Sequence, residues 1–346
     1  MRKSIITTIL FFLVFVTYAQ NFTSIKSENK PLILKSFGSF YEGGENVEQS
    51  SDELGSFGPG GHISINQMYV HYMIPAENKV PFVLIHGMAL TGKCWETTPD
   101  GRMGWDEYFV RQGHGVYVID QVGRGRSGFN QANINKVRTG AAQNSTLPIL
   151  MRFSDEVVWR NFRIGSDINK PFPNEQFPIE AMDALSIQGV PDLTMSLPFP
   201  NPTYKALSDL AEHVDGAILL SHSQSGSFPL EAALVNPKGI KGIVMVEPGM
   251  VSTSFRQDQL DELAKIPILI VFGDNLEIET GIPNFSWKVS YDNCLKFKNQ
   301  INAIGGNAKV IHLPEIGILG NSHMIMQDKN NLEIADIILN WQENNK

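Results

Sequence analysis

The 346-residue sequence is poor in cysteine: it has two, Cys94 and Cys294. One bridge at most can join them, which excludes a disulfide-built scaffold and a thiolate metal site. It also lacks any block of Lys and Arg. Its 28 basic residues are scattered among 36 acidic ones for a net charge of −8, which argues against nucleic acid or an anionic membrane as partner. No apolar run reaches the length of a membrane span; the longest, at the N-terminus, is roughly twelve residues where about twenty are needed. No His/Asp/Glu cluster has metal-ligand spacing, so neither metal nor cofactor is expected. Internal repeats and low-complexity tracts are missing too. What remains is 42% hydrophobic and 18% charged, the composition of an ordinary globular chain.

The first residues read as an address. Arg2 and Lys3 give a positive start, Ile5 to Val16 is apolar, and Thr17-Tyr18-Ala19 offers a small residue before a cut. Residues 1–19 are therefore expected to be a signal peptide. The mature protein, residues 20–346, is expected to be secreted or periplasmic, without a stable membrane anchor. Residues 21–62, rich in Gly, Ser and Glu, read as edge strands and loops.

From about residue 80, short apolar runs alternate with helical patterns. The runs are Phe82–Ile85, Val116–Asp120, Ala217–Leu220, Gly242–Val246, Ile268–Phe272 and Val310–Leu313. Continuous Val/Ile/Leu segments of this kind suit a mostly parallel sheet covered by helices on both faces, the α/β class. Cys294, Phe297, Ile301 and Ile304 keep helical spacing before Gly305-Gly306, which makes Cys294 a core residue. Ile334, Ile337, Ile338 and Trp341 stripe a last helix. The alternation breaks at about 129–205, a stretch rich in Asn, Pro and Phe and too long for a plain connection, expected to be a lid or cap insertion in a single domain.

The chemistry centres on Ser221-His222-Ser223-Gln224-Ser225-Gly226. Ser223 sits between small residues two before and two after, directly behind a strand and ahead of a helical run. Such a strand-to-helix elbow crowds its flanks and leaves the central hydroxyl exposed on strained backbone. Ser221 and Ser225 stand where glycines are usual. A serine nucleophile needs a base oriented by an acid. Of the two histidines beyond Ser223, His312 alternates within a strand, whereas His323 lies in the Gly/Asn/Ser loop after the last strand and is the expected base. Glu247 ends an apolar strand before Pro248-Gly249, where a buried carboxylate demands a partner; it is the preferred acid, with Asp274, after the next strand, as the alternative. Two backbone amides should form an oxyanion hole: that of Gln224, after the nucleophile, and that of Met88, in the loop His86-Gly87-Met88-Ala89. His86 reads as bracing that loop. Gly123-Arg124-Gly125-Arg126-Ser127-Gly128 matches a dinucleotide fingerprint, but no helix is read from Asn130-Gln131-Ala132-Asn133 and no acidic residue lies in 140–150, so a nucleotide site is discounted.

Taken together, the His86-Gly87 loop, Asp120–Ser127, the Ser223 elbow and the late His323 resemble the α/β-hydrolase superfamily. Trp95–Trp105, Ser221–Gly226, Val246–Gly249 and Gly320–Met324 are more closely similar to a group of secreted bacterial esterases with a Ser-Glu-His triad, a likeness that runs from about residue 60 to the end. The resemblance implies a carboxylic-ester hydrolase acting through an acyl-enzyme, with Ser223 as nucleophile, Glu247 as acid, His323 as base and the amides of Met88 and Gln224 as oxyanion donors. The partner is then a small-molecule ester, and a homodimer is compatible with the sequence. A lactonase or amidase on the same residues, and a non-catalytic secreted binding protein of this fold, are the other readings.

Overall fold

The computed structural model describes residues 25–26, 30–77 and 79–345. The expected signal peptide, residues 1–19, lies outside them. β1 (Leu34–Gln49) and β2 (Gly61–Pro75) form a long antiparallel hairpin that supplies one edge of an eight-stranded sheet. β3 (Lys79–Ile85), α1 (Trp105–Arg111) and β4 (His114–Asp120) come next, and β2 pairs antiparallel with β4.

The chain then leaves the sheet. Between β4 and β7 the described residues form α2 (Ala132–Arg138), α3 (Asp155–Asn161), a two-stranded ribbon of β5 (Gly165–Asp167) and β6 (Lys170–Pro171), α4 (Met182–Ile187) and α5 (Pro202–His213), and none of these joins the main sheet. Ser154 caps α3 by accepting from Val157 N, and Asn201 with Pro202 starts α5, both favoured helix openings. One local expectation is corrected here: Asn130-Gln131-Ala132-Asn133 does start a helix. The Asn130 carboxamide oxygen accepts from Ala132 N at 3.0 Å and so helps to open α2.

The alternation resumes with β7 (Ala217–His222), α6 (Phe228–Val235), β8 (Ile240–Val246), α7 (Gln257–Leu263), β9 (Ile268–Phe272), α8 (Trp287–Ala303), β10 (Ala308–His312) and α9 (Asn331–Glu343). The strand order is β1-β2-β4-β3-β7-β8-β9-β10, with every pair from β4 onward parallel. The last strand ends at His312, one residue early, because Pro314 cannot donate and a tight turn, Leu313–Ile316, begins instead.

Each face of the sheet has its own core. On one, Leu219, Ile243, Ile268 and Ile270 pack against Leu207, Leu230, Leu263 and Phe297 of α5 to α8. On the other, Leu84, Leu220, Val246 and Val271 pack against Phe109 of α1, Ile338 of α9, and Trp159, Phe162 and Ile164 of the insertion. Cys94 and Cys294 belong to opposite faces, both free and buried. Burial pushes both thiols up from their ordinary range, so they carry no thiolate character. The parallel strands all point their C-terminal ends to one edge, where Ile85, His222, Val246 and Phe272 hand the chain to loops. In open α/β sheets this is the edge that collects functional residues.

Candidate active site

Ser223 comes directly after β7, with φ of +60°, a left-handed conformation that a non-glycine residue holds only under constraint. The constraints are local. Ser225 Oγ accepts from His222 N at 3.2 Å and lies 3.1 Å from Ile85 O, stitching the elbow to the end of β3. Ser221 Oγ sits 3.4 Å from Gly226 O. Both hydroxyls thus find polar neighbours within the elbow, where glycines are usual. The positions that demand glycine lie next door. A Cβ on Gly226 would sit 2.4 Å from Pro248 Cβ, and one on Gly87 would sit 2.8 Å from Ser223 Cβ.

His323 Nε2 is 2.8 Å from Ser223 Oγ, and His323 Nδ1 is 3.1 Å from Glu247 Oε2. The imidazole is fully buried, packed against Trp287 in a tilted arrangement at 4.2 Å between ring centres, with Phe162 at 5.1 Å and His222 at 4.6 Å. Its loop is tied at several points: His323 N donates to Phe162 O at 2.8 Å, His222 Nε2 donates to His323 O at 2.9 Å, and Asp328 accepts from Ser322 N, Ser322 Oγ and Asn321 Nδ2. Burial, with Arg163 adding to it, lowers the His323 pKa to about 4 against the pull of Glu247, so the imidazole is neutral at pH 7 and able to accept a proton.

Glu247 leaves β8 with φ of +53° and is fully buried. Burial alone would raise its pKa; Arg163 and His323 overcome that and hold it at about 2. Oε1 accepts from Arg163 Nη2 at 2.7 Å and from Gly273 N, leaving Oε2 to His323. Asp274 has other work. Its carboxylate accepts from Asn275 N at 2.7 Å and Gly320 N at 3.1 Å, and its carbonyl accepts from Arg163 Nε at 2.6 Å. Of the two candidate acids, Glu247 is the one brought to His323.

Met88 lies one residue beyond Gly87, which is packed on Ser223, and its amide has no hydrogen-bond acceptor among the described residues. Gln224 opens the first turn after the nucleophile, where helical amides begin without partners. His86 is buried and neutral, its pKa lowered to about 4 by burial and by Arg124; Nε2 accepts from Gln121 N at 3.0 Å while Nδ1 donates to Gly87 O. The loop is clamped further by Arg124, whose Nη1 reaches Gly87 O at 3.2 Å and Leu90 O at 3.1 Å. Its Nη2 forms a buried 2.5 Å ion pair with Asp192. Asp192 in turn accepts from Ala89 N at 2.9 Å.

Sequence reading misses Arg163 and Asp192, both from the insertion, and Arg124, which stands inside the discounted glycine-rich motif. No pattern announces them, since each finds its partner only through the fold. That motif is a bracing turn: Asp120 accepts from Gly92 N at 2.8 Å and from Arg126 N at 2.9 Å, while Arg124 braces the Met88 loop.

Two cavities are lined by neighbours of the site residues, though Ser223 itself lines neither. A cavity of about 30 Å³ is lined by Met88, Leu90, Val158, Phe162 and Leu185. A cavity of about 470 Å³ lies beside Gly249, whose N–H donates to Ser223 O at 2.8 Å; Met250, Val251, Phe285 and Val289 are among its walls. A third cleft, of about 420 Å³ between the hairpin and the insertion, contains none of these site residues.

No family model matches the chain. It is similar to a bacterial esterase whose structure is known at atomic resolution, at 46% identity over 92% of this chain and 99% of that one, with a TM-score of 0.86. It is also similar to the probable secreted lipase phiG of a fungus (Fungal sp., strain ATCC 74256), at 26% identity over 90% of this chain and 94% of the lipase. With that fold and that likeness, the chain belongs to the α/β-hydrolase superfamily, as an esterase- and lipase-like hydrolase of carboxylic esters.

Proposed function

We propose that the protein is a serine esterase working through an acyl-enzyme, with Ser223 as nucleophile, His323 as base and Glu247 as acid. The observation that carries this reading is the continuous chain from Ser223 Oγ through His323, at 2.8 Å, to Glu247, at 3.1 Å. His323 Nε2 takes the Ser223 proton as Oγ attacks the ester carbonyl, and returns it to the departing alcohol oxygen. Water then gives a proton to the same nitrogen as its oxygen attacks the acyl carbonyl; the bond to Ser223 Oγ breaks, the acid leaves, and His323 returns the proton to Oγ. Glu247 holds the imidazole in the tautomer that leaves Nε2 free to accept, and stabilises the imidazolium as it forms. The amides of Met88 and Gln224 hold the developing oxyanion. Ser223 as nucleophile also separates this reading from a non-catalytic binding protein of the same fold.

In this reading a small acyl group lies beside Met88, supported by the cavity of about 30 Å³ there, and the alcohol lies toward the larger space beside Gly249. Turnover of p-nitrophenyl esters from acetate to octanoate tests both assignments. kcat/KM should be highest at two or three carbons, and Ser223→Ala should lose turnover while staying folded. An octanoate optimum would sink the acyl assignment; an active alanine variant would sink the nucleophile.

Residues 1–19 act as a cleaved signal peptide in this reading, and residues 129–205 as a cap over the site. Among the described residues no helix is long and apolar enough to cross a membrane. The fungal relative's description as secreted supports export. Sequencing the N-terminus of the exported protein should find Gln20 first.

A further inference from the structure

We infer that Arg163, supplied by the insertion, is a positioning residue of the active site: by engaging one oxygen of Glu247 it leaves the other to orient His323. The inference rests on the Ser223-His323-Glu247 reading and adds to it a member from outside the sheet.

The guanidinium makes two directed bonds to two different loops, Nη2 to Glu247 Oε1 at 2.7 Å and Nε to the Asp274 carbonyl at 2.6 Å. These are the loops after β8 and β9, so one planar fork sets their separation. A lysine ammonium could serve one of these acceptors but has no fixed fork to serve both. The side chain is fully buried and lies 5.2 Å over the ring of Trp287, the residue packed against His323. Nη1 is buried without a hydrogen-bond partner, a cost accepted nowhere else by an arginine among the described residues. The backbone of Arg163 is held at φ of +57°, and its neighbour Phe162 accepts from His323 N. A purely structural arginine has no need of both left-handed backbone and an orphaned buried nitrogen at the acid of a catalytic pair.

Few charged groups surround the pair. Those that bear on His323 and Glu247 are Arg163 from the insertion, His222 from the elbow, and Asp328 from the histidine's own loop; Glu175 acts on Arg163 from the insertion, and Cys294 senses Glu247 from α8. Asp274 is spent on Gly320 and Asn275. His222 is neutral, since burial and then His323 depress its pKa. Burial pushes the Asp328 carboxyl up to about 7 and the Glu175 carboxyl up to about 9, which weakens their negative charge at neutral pH. Arg163 is therefore the cation that answers Glu247 in the resting enzyme, and it opposes protonation of His323. Removing it must let His323 hold its proton to higher pH.

The test is the pH dependence of kcat/KM for p-nitrophenyl acetate in the full mature chain, comparing wild type with Arg163→Met and Arg163→Lys. Methionine keeps the volume and removes both bonds. The acid limb should move up by about one pH unit and kcat should fall at least about tenfold with KM little changed. Lysine should restore part of both. An unmoved acid limb with wild-type kcat in a folded methionine variant overturns the inference. If that variant does not fold, Lys decides: a smaller shift in the same direction supports it, and a wild-type profile overturns it. Glu247→Gln run alongside separates the two readings. If glutamine there leaves turnover intact, the acid itself was misread; if it abolishes turnover while Arg163→Met does nothing, Arg163 alone was.

Discussion

The two halves of the active site are held by different means. Ser223 and Glu247 project from the ends of β7 and β8 with left-handed backbones, beside the His222 N–Ser225 Oγ bond on one and the Glu247 N–Val271 O bond to the neighbouring strand on the other. Arg163 and Asp192 come from the insertion and are held by long-range buried ion pairs, Arg163 to Glu247 at 2.7 Å and Asp192 to Arg124 at 2.5 Å. The difference teaches that strand ends supply the proposed reacting groups while the excursion from the sheet supplies charged partners for them and for the loop beside them. The insertion also touches the site at both ends, at the acid through Arg163 and at the oxyanion loop through Asp192.

That division can be broken experimentally. The largest effect is expected at the strand ends: Ser223→Ala should lower kcat by about 10⁴-fold or more without loss of the folded far-UV spectrum. Glu247→Gln should cost about 10³- to 10⁴-fold in kcat, and Asp274→Asn far less, measured on the same ester. In the insertion, Asp192→Ala leaves Arg124 buried without its carboxylate, and removing one partner of a buried pair costs about 3–5 kcal/mol. Urea unfolding would read that loss, and a midpoint unchanged from wild type would show that the clamp is not under load. The smallest effect belongs to the surface. Arg256 and Asp258, both largely exposed, form a 2.8 Å pair whose removal by Arg256→Ala should shift stability by less than about 1 kcal/mol.

Sequence reading reaches the strand-end half far better than the insertion half, for a physical reason. A buried parallel strand must be a continuous apolar run, so all six such runs are strands, and the residues just past each run must lie at the sheet's C-terminal edge. Ser223, Glu247 and Asp274 are therefore placed by their position alone, and His323 by the Gly/Asn/Ser loop around it. The preference for Glu247 over Asp274 is legible in its place before Pro248-Gly249, whereas what Asp274 does instead is not: its carboxylate turns to Gly320 and Asn275. Arg163 and Asp192 sit in a stretch with no periodic signal, and their partners are 84 residues away in Glu247 and 103 residues away in Ala89. Arg124 is visible only as part of a motif that points elsewhere. Even the helix at Ala132 is hidden, because Asn130 reads as loop until its carboxamide is seen to accept from Ala132 N.

Cys94 and Cys294 sit on opposite faces of the sheet, sealed among Trp95 and Trp105 on one side and Trp287 and Phe297 on the other. A wall of β-strands separates them, so an oxidising surrounding has no bond to form and a reducing one has none to cleave. The fold of this hydrolase is thus completed without an internal disulfide, and its two cysteines give an oxidising or reducing compartment no bond within the chain to make or break.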